Sequence, residues 1–118
     1  MIKTSVLRLR GDISEREILF SDVSVTETTF ERMKGLLGRK PLADNEGLWI
    51  QPCNSIHTFF MYYILDLVYL DRQHNVCAIV ESIKPWRFSL SMRAVAVLEL
   101  QAGQIKQKNI QIGDRLQW

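Results

Sequence analysis

A cysteine, a histidine and an aspartate lie close together in the middle of the chain, as Cys53, His57 and Asp66. The residues around them are mostly apolar, so each polar group needs a hydrogen-bond partner or costs about 1–3 kcal/mol when buried. A nucleophile, a general base and a group that orients the base use these three residue types. The segment therefore predicts either a binding or catalytic site or a buried hydrogen-bond network.

Catalysis is the less favoured interpretation of this segment. A catalytic triad is defined by geometry in space, whereas the sequence shows only proximity along the chain. No nucleophile elbow or cysteine-hydrolase signature surrounds Cys53. Cys53, His57 and Asp66 are therefore kept as candidate catalytic residues, without a commitment to any of them. The second cysteine, Cys77, lies in a strand-like segment and is interpreted as a small core residue.

A metal site has less support still, because zinc needs three or four converging ligands. Cys53 and His57 supply two of these, while His74 falls in a predicted hairpin loop. We therefore predict no metal and no cofactor. For His57 the plainer expectation is a half-buried imidazole that is hydrogen-bonded to a neighbour such as Asp66.

Three arginines, Arg32, Arg39 and Arg87, could form an anion site, since a guanidinium group binds a carboxylate through two parallel hydrogen bonds. The alternative is that Arg32 pairs with Asp66 or Glu99 and holds a helix against the sheet. We favour this structural pairing slightly over ligand binding.

Alternation of apolar and polar residues dominates the chain and predicts a strand-rich domain. Thr26 is expected to cap a single good helix, whose apolar residues Phe30, Met33 and Leu37 recur at helical spacing before Gly38 ends it. Gly35 within this helix is expected to allow a close approach of a strand or of Trp49. The predicted strands cover residues 2–10, 18–25, 47–51, 65–70, 76–81 and 94–100, with a last strand ending at 118.

Two carboxylates occupy unusual positions in this strand pattern. Because alternate residues of a strand share a face, Asp66 lies on the same face as Val68 and Leu70. Glu99 likewise shares a face with Val97. Both faces are otherwise apolar, so the pattern predicts that both acids are buried.

The overall composition favours one globular domain over residues 1–118. Apolar residues make up 47% of the 118 residues and charged residues 24%, and the formal net charge of +2 is scattered along the chain. This gives no electrostatic support for binding a nucleic acid or an anionic membrane. No secretion signal and no membrane span is recognisable, so we expect a cytoplasmic protein with reduced thiols.

Six blocks in order along the chain resemble the bacterial and archaeal family DUF192, whose function is unknown. The resemblance covers about residues 23–116. The blocks are 31–39, similar to Arg-x-x-Gly-Leu-Met-x-Arg; 47–50; Cys-x-Ser-Ile-His-Thr-Phe-x-Met at 53–61; Asp66 with 70–71; 85–87; and 98–103 with 113–114.

The resemblance implies an α+β fold, namely a compact, mainly antiparallel sheet or partly closed barrel packed around one principal helix. It implies no established reaction. We expect a non-enzymatic binding module with a small polar pocket for a small molecule or for a carboxylate or peptide group. The alternatives are a small cysteine-dependent enzyme and a structural or protein-interaction partner.

The expected partners are a small molecule or another protein, without nucleic acid or membrane, and the chain is expected to be a monomer or a weak dimer. The expected binding residues are Cys53, His57, Thr58, Met61, Asp66, Arg87, Arg32 and Arg39.

Overall fold

The computed structural model describes residues 1–10, 15–34 and 40–118. Within these residues the chain forms nine strands and two short helices. In chain order they are β1 (Ile2–Arg10), β2 (Glu15–Val25), α1 (Thr29–Lys34), β3 (Glu46–Ile50), β4 (Ser55–His57), β5 (Leu65–Leu70), β6 (Val76–Ile83), β7 (Phe88–Leu90), β8 (Ala96–Gln101), α2 (Gln104–Gln107) and β9 (Arg115–Gln117). None of the helices in the described part is long and apolar enough to cross a membrane.

Seven of the strands form one sheet in the order β6-β5-β8-β3-β2-β1-β9, and β4 pairs with β7 in a separate two-stranded ribbon. Neighbouring strands of the large sheet are antiparallel, except that β2 and β3 run parallel. Parallel strands require a long crossover connection. The connection between β2 and β3, which contains α1, meets that requirement.

The mainly antiparallel sheet is confirmed, whereas the alternative of a partly closed barrel is not, because the sheet is open with β6 and β9 at its edges. At one corner the two ends are linked by the bridge between Asn75 and Arg115 and by backbone hydrogen bonds from the N–H groups of Val76, Gly113 and Leu116. Since β9 has three residues, it is too short to complete a ladder there. The described chain is mainly β rather than clearly α+β, with little helix.

Each face of the large sheet carries its own apolar cluster. We call one the α2 face, where Val68, Leu98 and Leu100 pack with Ile105 of α2. The other is the ribbon face, which carries Leu48, Leu67, Tyr69 and Val97 together with Ile56 of the β4–β7 ribbon. All six residues of β5 are buried, because layers of structure cover it on both sides.

Most strand predictions are confirmed within a few residues, and those for β1 and β5 match at both ends. The elements β4, β7 and α2 were not predicted from the sequence. Each of these elements has three or four residues, which is too short for the period of a strand or a helix to appear.

The N-terminus of α1 differs from its prediction, because Thr28 rather than Thr26 caps the helix. The Thr28 hydroxyl accepts a hydrogen bond from the Glu31 N–H at 3.1 Å, and the Glu31 carboxylate accepts one from the Thr28 N–H at 3.2 Å. This is a capping box. Thr26 is instead buried, and its hydroxyl accepts a hydrogen bond from the Gln51 N–H at 3.4 Å.

The remaining helix predictions concern parts of the chain that the structure does not describe. The predicted stripe depends on the side chains of Phe30 and Met33 and on Leu37, and the predicted end depends on Gly38. The close approach predicted at Gly35 also lies outside the described residues.

Candidate functional site

The carboxylate of Asp66 is fully buried and accepts three backbone hydrogen bonds. One oxygen binds the N–H of Ser82 at 2.8 Å, and the other binds the N–H groups of Gly103 and Ile105 at 3.0 and 2.9 Å. Asp66 was expected to be a binding residue, but its carboxylate instead holds two separate backbone segments in place.

Both pieces have irregular geometry. The pairing of β5 with β6 shifts register between Leu65 and Leu67, opposite the segment that contains Ser82. Ser82 and Gly103 have positive φ angles of 54° and 95°. Asp66 therefore stabilises a bulge in β6 and the turn that leads into α2.

The sheet separates Asp66 from the other two candidate catalytic residues. Asp66 pairs with Leu100 and so lies on the α2 face. Cys53 packs against the cluster of the ribbon face. His57 is exposed on β4 and stacks its ring on Phe59 at a centroid distance of 5.0 Å. The structure thus does not bring Cys53, His57 and Asp66 together around one site.

The Cys53 thiol is in an environment that suits its neutral form. It is half-buried and donates a hydrogen bond to the Ser55 carbonyl at 3.0 Å. Burial raises the pKa of Cys53 above its ordinary value, although the hydrogen bond with Ser55 opposes this. A cysteine nucleophile needs the opposite shift, since the thiolate is the reactive form.

We therefore expect Cys53 to react with iodoacetamide at neutral pH no faster than free cysteine does. The reaction can be followed by mass spectrometry in a Cys77→Ala variant, so that one thiol is counted. A rate well above that of free cysteine would contradict the neutral thiol and support the cysteine-dependent enzyme.

Thr58 and Met61, two of the expected binding residues, lie in the interior. Met61 belongs to the cluster of the ribbon face. The fully buried Thr58 hydroxyl donates to the Lys84 carbonyl at 2.6 Å and accepts from the Arg87 N–H at 2.8 Å. Its own N–H donates to the Arg87 carbonyl at 2.8 Å. Thr58 therefore joins the β4–β5 loop to the β6–β7 loop.

The expected arginines do not form one cluster. Arg32 is half-buried and donates a hydrogen bond to the Thr29 hydroxyl at 3.2 Å. Arg87 is exposed, with its guanidinium 3.4 Å from the carbonyls of Pro85 and Trp86. Neither forms an ion pair among the described residues, and Arg39 lies outside them.

Glu99 is the most unusual ionisable residue on the ribbon face. It pairs with Leu48 on one side and Leu67 on the other, and it is 4% exposed. In the described part of the chain its carboxyl group has no hydrogen bond and no ion pair. Burial raises its pKa from 4.5 to about 7.

Two polar groups, Cys53 and Tyr69, lie within electrostatic range of this carboxyl. Burial raises the pKa of Tyr69, whose hydroxyl donates to Ser89 at 2.7 Å, and the charges of Cys53 and Glu99 raise it further. The charge of Glu99 also raises the pKa of Cys53, whereas Arg32 lowers it. We call Cys53, Tyr69 and Glu99 the Glu99 site.

The burial of Glu99 was predicted from the sequence, but its place in a site was not. The signal was its place in an alternating apolar strand. Tyr69 gave no comparable signal, because an aromatic residue in an apolar strand resembles any core residue. Within the described residues, no three His, Cys, Asp or Glu side chains are grouped so that they could hold a metal ion.

The fold is shared with two solved structures. A protein of unknown function from Novosphingobium aromaticivorans matches with a TM-score of 0.80 and 24% identity, over 98% of this chain and 85% of that one. A protein from Sinorhizobium meliloti matches with a TM-score of 0.81 and 24% identity, over 98% and 93% of the two chains. At this identity the similarity establishes the fold alone.

Sequence comparison gives the family. A UPF0127 protein from Thermococcus sibiricus is 31% identical over 102 residues, which is 81% of this chain and 65% of that protein. A UPF0127 protein from Pyrococcus furiosus is 29% identical over 82% of this chain and 86% of its own length. The DUF192 family model, described as an uncharacterized ACR, matches residues 12–118. With the sequence blocks, the family model and these relatives in agreement, the chain belongs to the DUF192 family.

Proposed function

We propose that this chain is a non-enzymatic binding module and that the Glu99 site binds a small molecule carrying a protonated amine. The observation that carries the proposal is the buried Glu99 carboxyl, which has no protein partner in the described part of the chain. An unpaired buried carboxylate is costly, and a cationic ligand would offset that cost.

The surroundings of Glu99 fit such a ligand. Leu48, Leu67 and Val97 supply apolar surface on the same face, while Tyr69 and Cys53 supply polar atoms within electrostatic range. Binding sites for small molecules combine apolar walls with a few polar groups in this way. Asp66 is left out of the proposed site because it lies on the α2 face and is occupied by backbone N–H groups.

The raised pKa of Glu99 predicts how stability depends on pH. Between pH 4.5 and about 7 the folded protein holds a proton on Glu99 that the unfolded chain has released. The stabilising contribution of this proton is therefore complete below pH 4.5. As the pH rises towards 7, the free energy of unfolding of the wild type falls by at most about 3 kcal/mol. Glu99→Gln cannot ionise and should gain stability over the wild type across this interval.

Urea denaturation at several pH values measures this difference. Glu81→Gln is the matched control, since Glu81 is exposed on β6. A stability difference between Glu99→Gln and the wild type that is constant with pH would contradict the raised pKa.

A thermal-shift screen with small primary amines and small carboxylates tests the proposed function. A ligand that binds only the folded state raises the melting temperature. We expect amines to raise it at pH 8, where Glu99 is ionised, and to do so less at pH 6. The shift should vanish in Glu99→Gln and persist in Glu81→Gln. Equal shifts in both variants, or none with any amine, would overturn the proposal.

A further inference from the structure

A group of large apolar side chains is exposed on one surface of the molecule, separate from the Glu99 site. Phe60, Trp86 and Phe88 are 61%, 56% and 64% exposed, and Phe59 and Leu90 are 39% and 51% exposed. We call these five residues, with His57, the aromatic face. Exposed apolar patches of this kind mark surfaces that bind something.

The members of the aromatic face are contiguous. The ring of Phe59 stacks between those of His57 and Trp86, at 5.0 and 5.9 Å, and Trp86 contacts Phe60 at 4.7 Å. Phe88 is the strand partner of His57 in the β4–β7 ribbon. Leu90 lies two residues further along β7 and so projects from the same side of the ribbon as Phe88.

The backbone holds two of these rings outward at a cost. Phe60 and Trp86 have φ angles of 67° and 62°, in the left-handed region that is unfavourable for any residue with a Cβ. The buried hydroxyl of Thr58 fixes the two loops that carry them. Strained residues that the surrounding structure holds in place occur preferentially at functional sites.

The two chain segments that carry the aromatic face have charge of one sign. The segments 54–64 and 84–93, which form this surface, contain Lys84, Arg87 and Arg93 and no aspartate or glutamate. All three cations are exposed. The prediction of no membrane contact depended on the scattered charge of the whole chain. That overall distribution does not show the local excess of positive charge on these two segments.

We propose that the aromatic face docks on the surface of a membrane that contains anionic lipids. Exposed aromatic and aliphatic side chains insert at the headgroup boundary, and neighbouring cations attract the lipid phosphates. A single-stranded nucleic acid fits less well. It needs free ring faces on which bases can stack, and here the rings of His57, Phe59 and Trp86 stack on one another.

Vesicle co-sedimentation tests this proposal. We expect the protein to bind vesicles of phosphatidylcholine mixed with phosphatidylglycerol, and to bind vesicles of phosphatidylcholine alone far more weakly. Each cation near an anionic surface contributes a factor of about five in affinity. Replacing Lys84, Arg87 and Arg93 together by alanine should therefore weaken binding by on the order of a hundredfold.

The double variant Phe60→Asn with Trp86→Asn separates binding from folding. Asparagine tolerates the left-handed conformation better than an aromatic residue does, so this variant should melt no lower than the wild type while losing vesicle binding. Ile18→Thr is the matched control, because Ile18 is 64% exposed on β2 of the large sheet, away from the ribbon.

Three results would overturn the proposal. One is undiminished vesicle binding in the asparagine variant. Another is equal binding to vesicles with and without the anionic lipid. The third is no vesicle binding at all. If the wild type then forms a concentration-dependent dimer or binds single-stranded RNA, and the asparagine variant does not, the aromatic face is assigned to that other partner.

Discussion

Asp66→Ala should lower the free energy of unfolding by on the order of 4 kcal/mol. The substitution leaves the N–H groups of Ser82, Gly103 and Ile105 without their acceptor. A buried donor that loses its partner costs about 1–3 kcal/mol, and hydrogen bonds to a charged acceptor are at the upper end of their range. The Ile105 N–H is buried, whereas Ser82 and Gly103 lie closer to water, so the three losses should not reach their full sum.

Urea denaturation of two further variants controls this result. Asp66→Asn keeps one carbonyl oxygen, which can still accept from Gly103 and Ile105, so its loss should be about half that of the alanine variant. Asp44→Ala removes an exposed aspartate and should cost less than about 0.5 kcal/mol. Equal stability of the Asp66→Ala variant and the wild type would mean that Asp66 does not hold the bulge and the turn together.

Thr58→Val should cost on the order of 3 kcal/mol. Valine has nearly the shape of threonine, so packing is preserved while the hydroxyl is lost. The Lys84 carbonyl and the Arg87 N–H then lose the partner that they share, and both lie in the loop next to Trp86. The loss should therefore be accompanied by greater mobility of the aromatic face.

Thermal unfolding combined with hydrogen exchange of the Arg87 amide measures both effects. Thr58→Ser is the matched control, since it keeps the hydroxyl and should retain most of the stability and the slow exchange. Slow exchange of the Arg87 amide in the valine variant would show that the Thr58 hydroxyl does not join the two loops.

Some site residues had roles that no local pattern could have predicted. The block containing Cys53, His57 and Thr58 was recognised as a unit, yet its members serve different parts of the molecule: Cys53 packs on the ribbon face, His57 joins the exposed aromatic face and Thr58 joins two loops. In a short segment with tight turns, neighbouring side chains point in different directions, so spacing along the chain does not predict their partners.

The sequence by itself determined the long strands, the burial of Asp66 and Glu99, and the family, because these depend on alternation and on ordered local motifs. The tertiary structure alone decided which face of the sheet each acid occupies. Asp66 pairs with Leu100, and Glu99 pairs with Leu67. A shift of one residue in the pairing of β5 with β8 would set the two carboxylates side by side. Strand register depends on the packing of both faces at once, which is a non-local property of the chain.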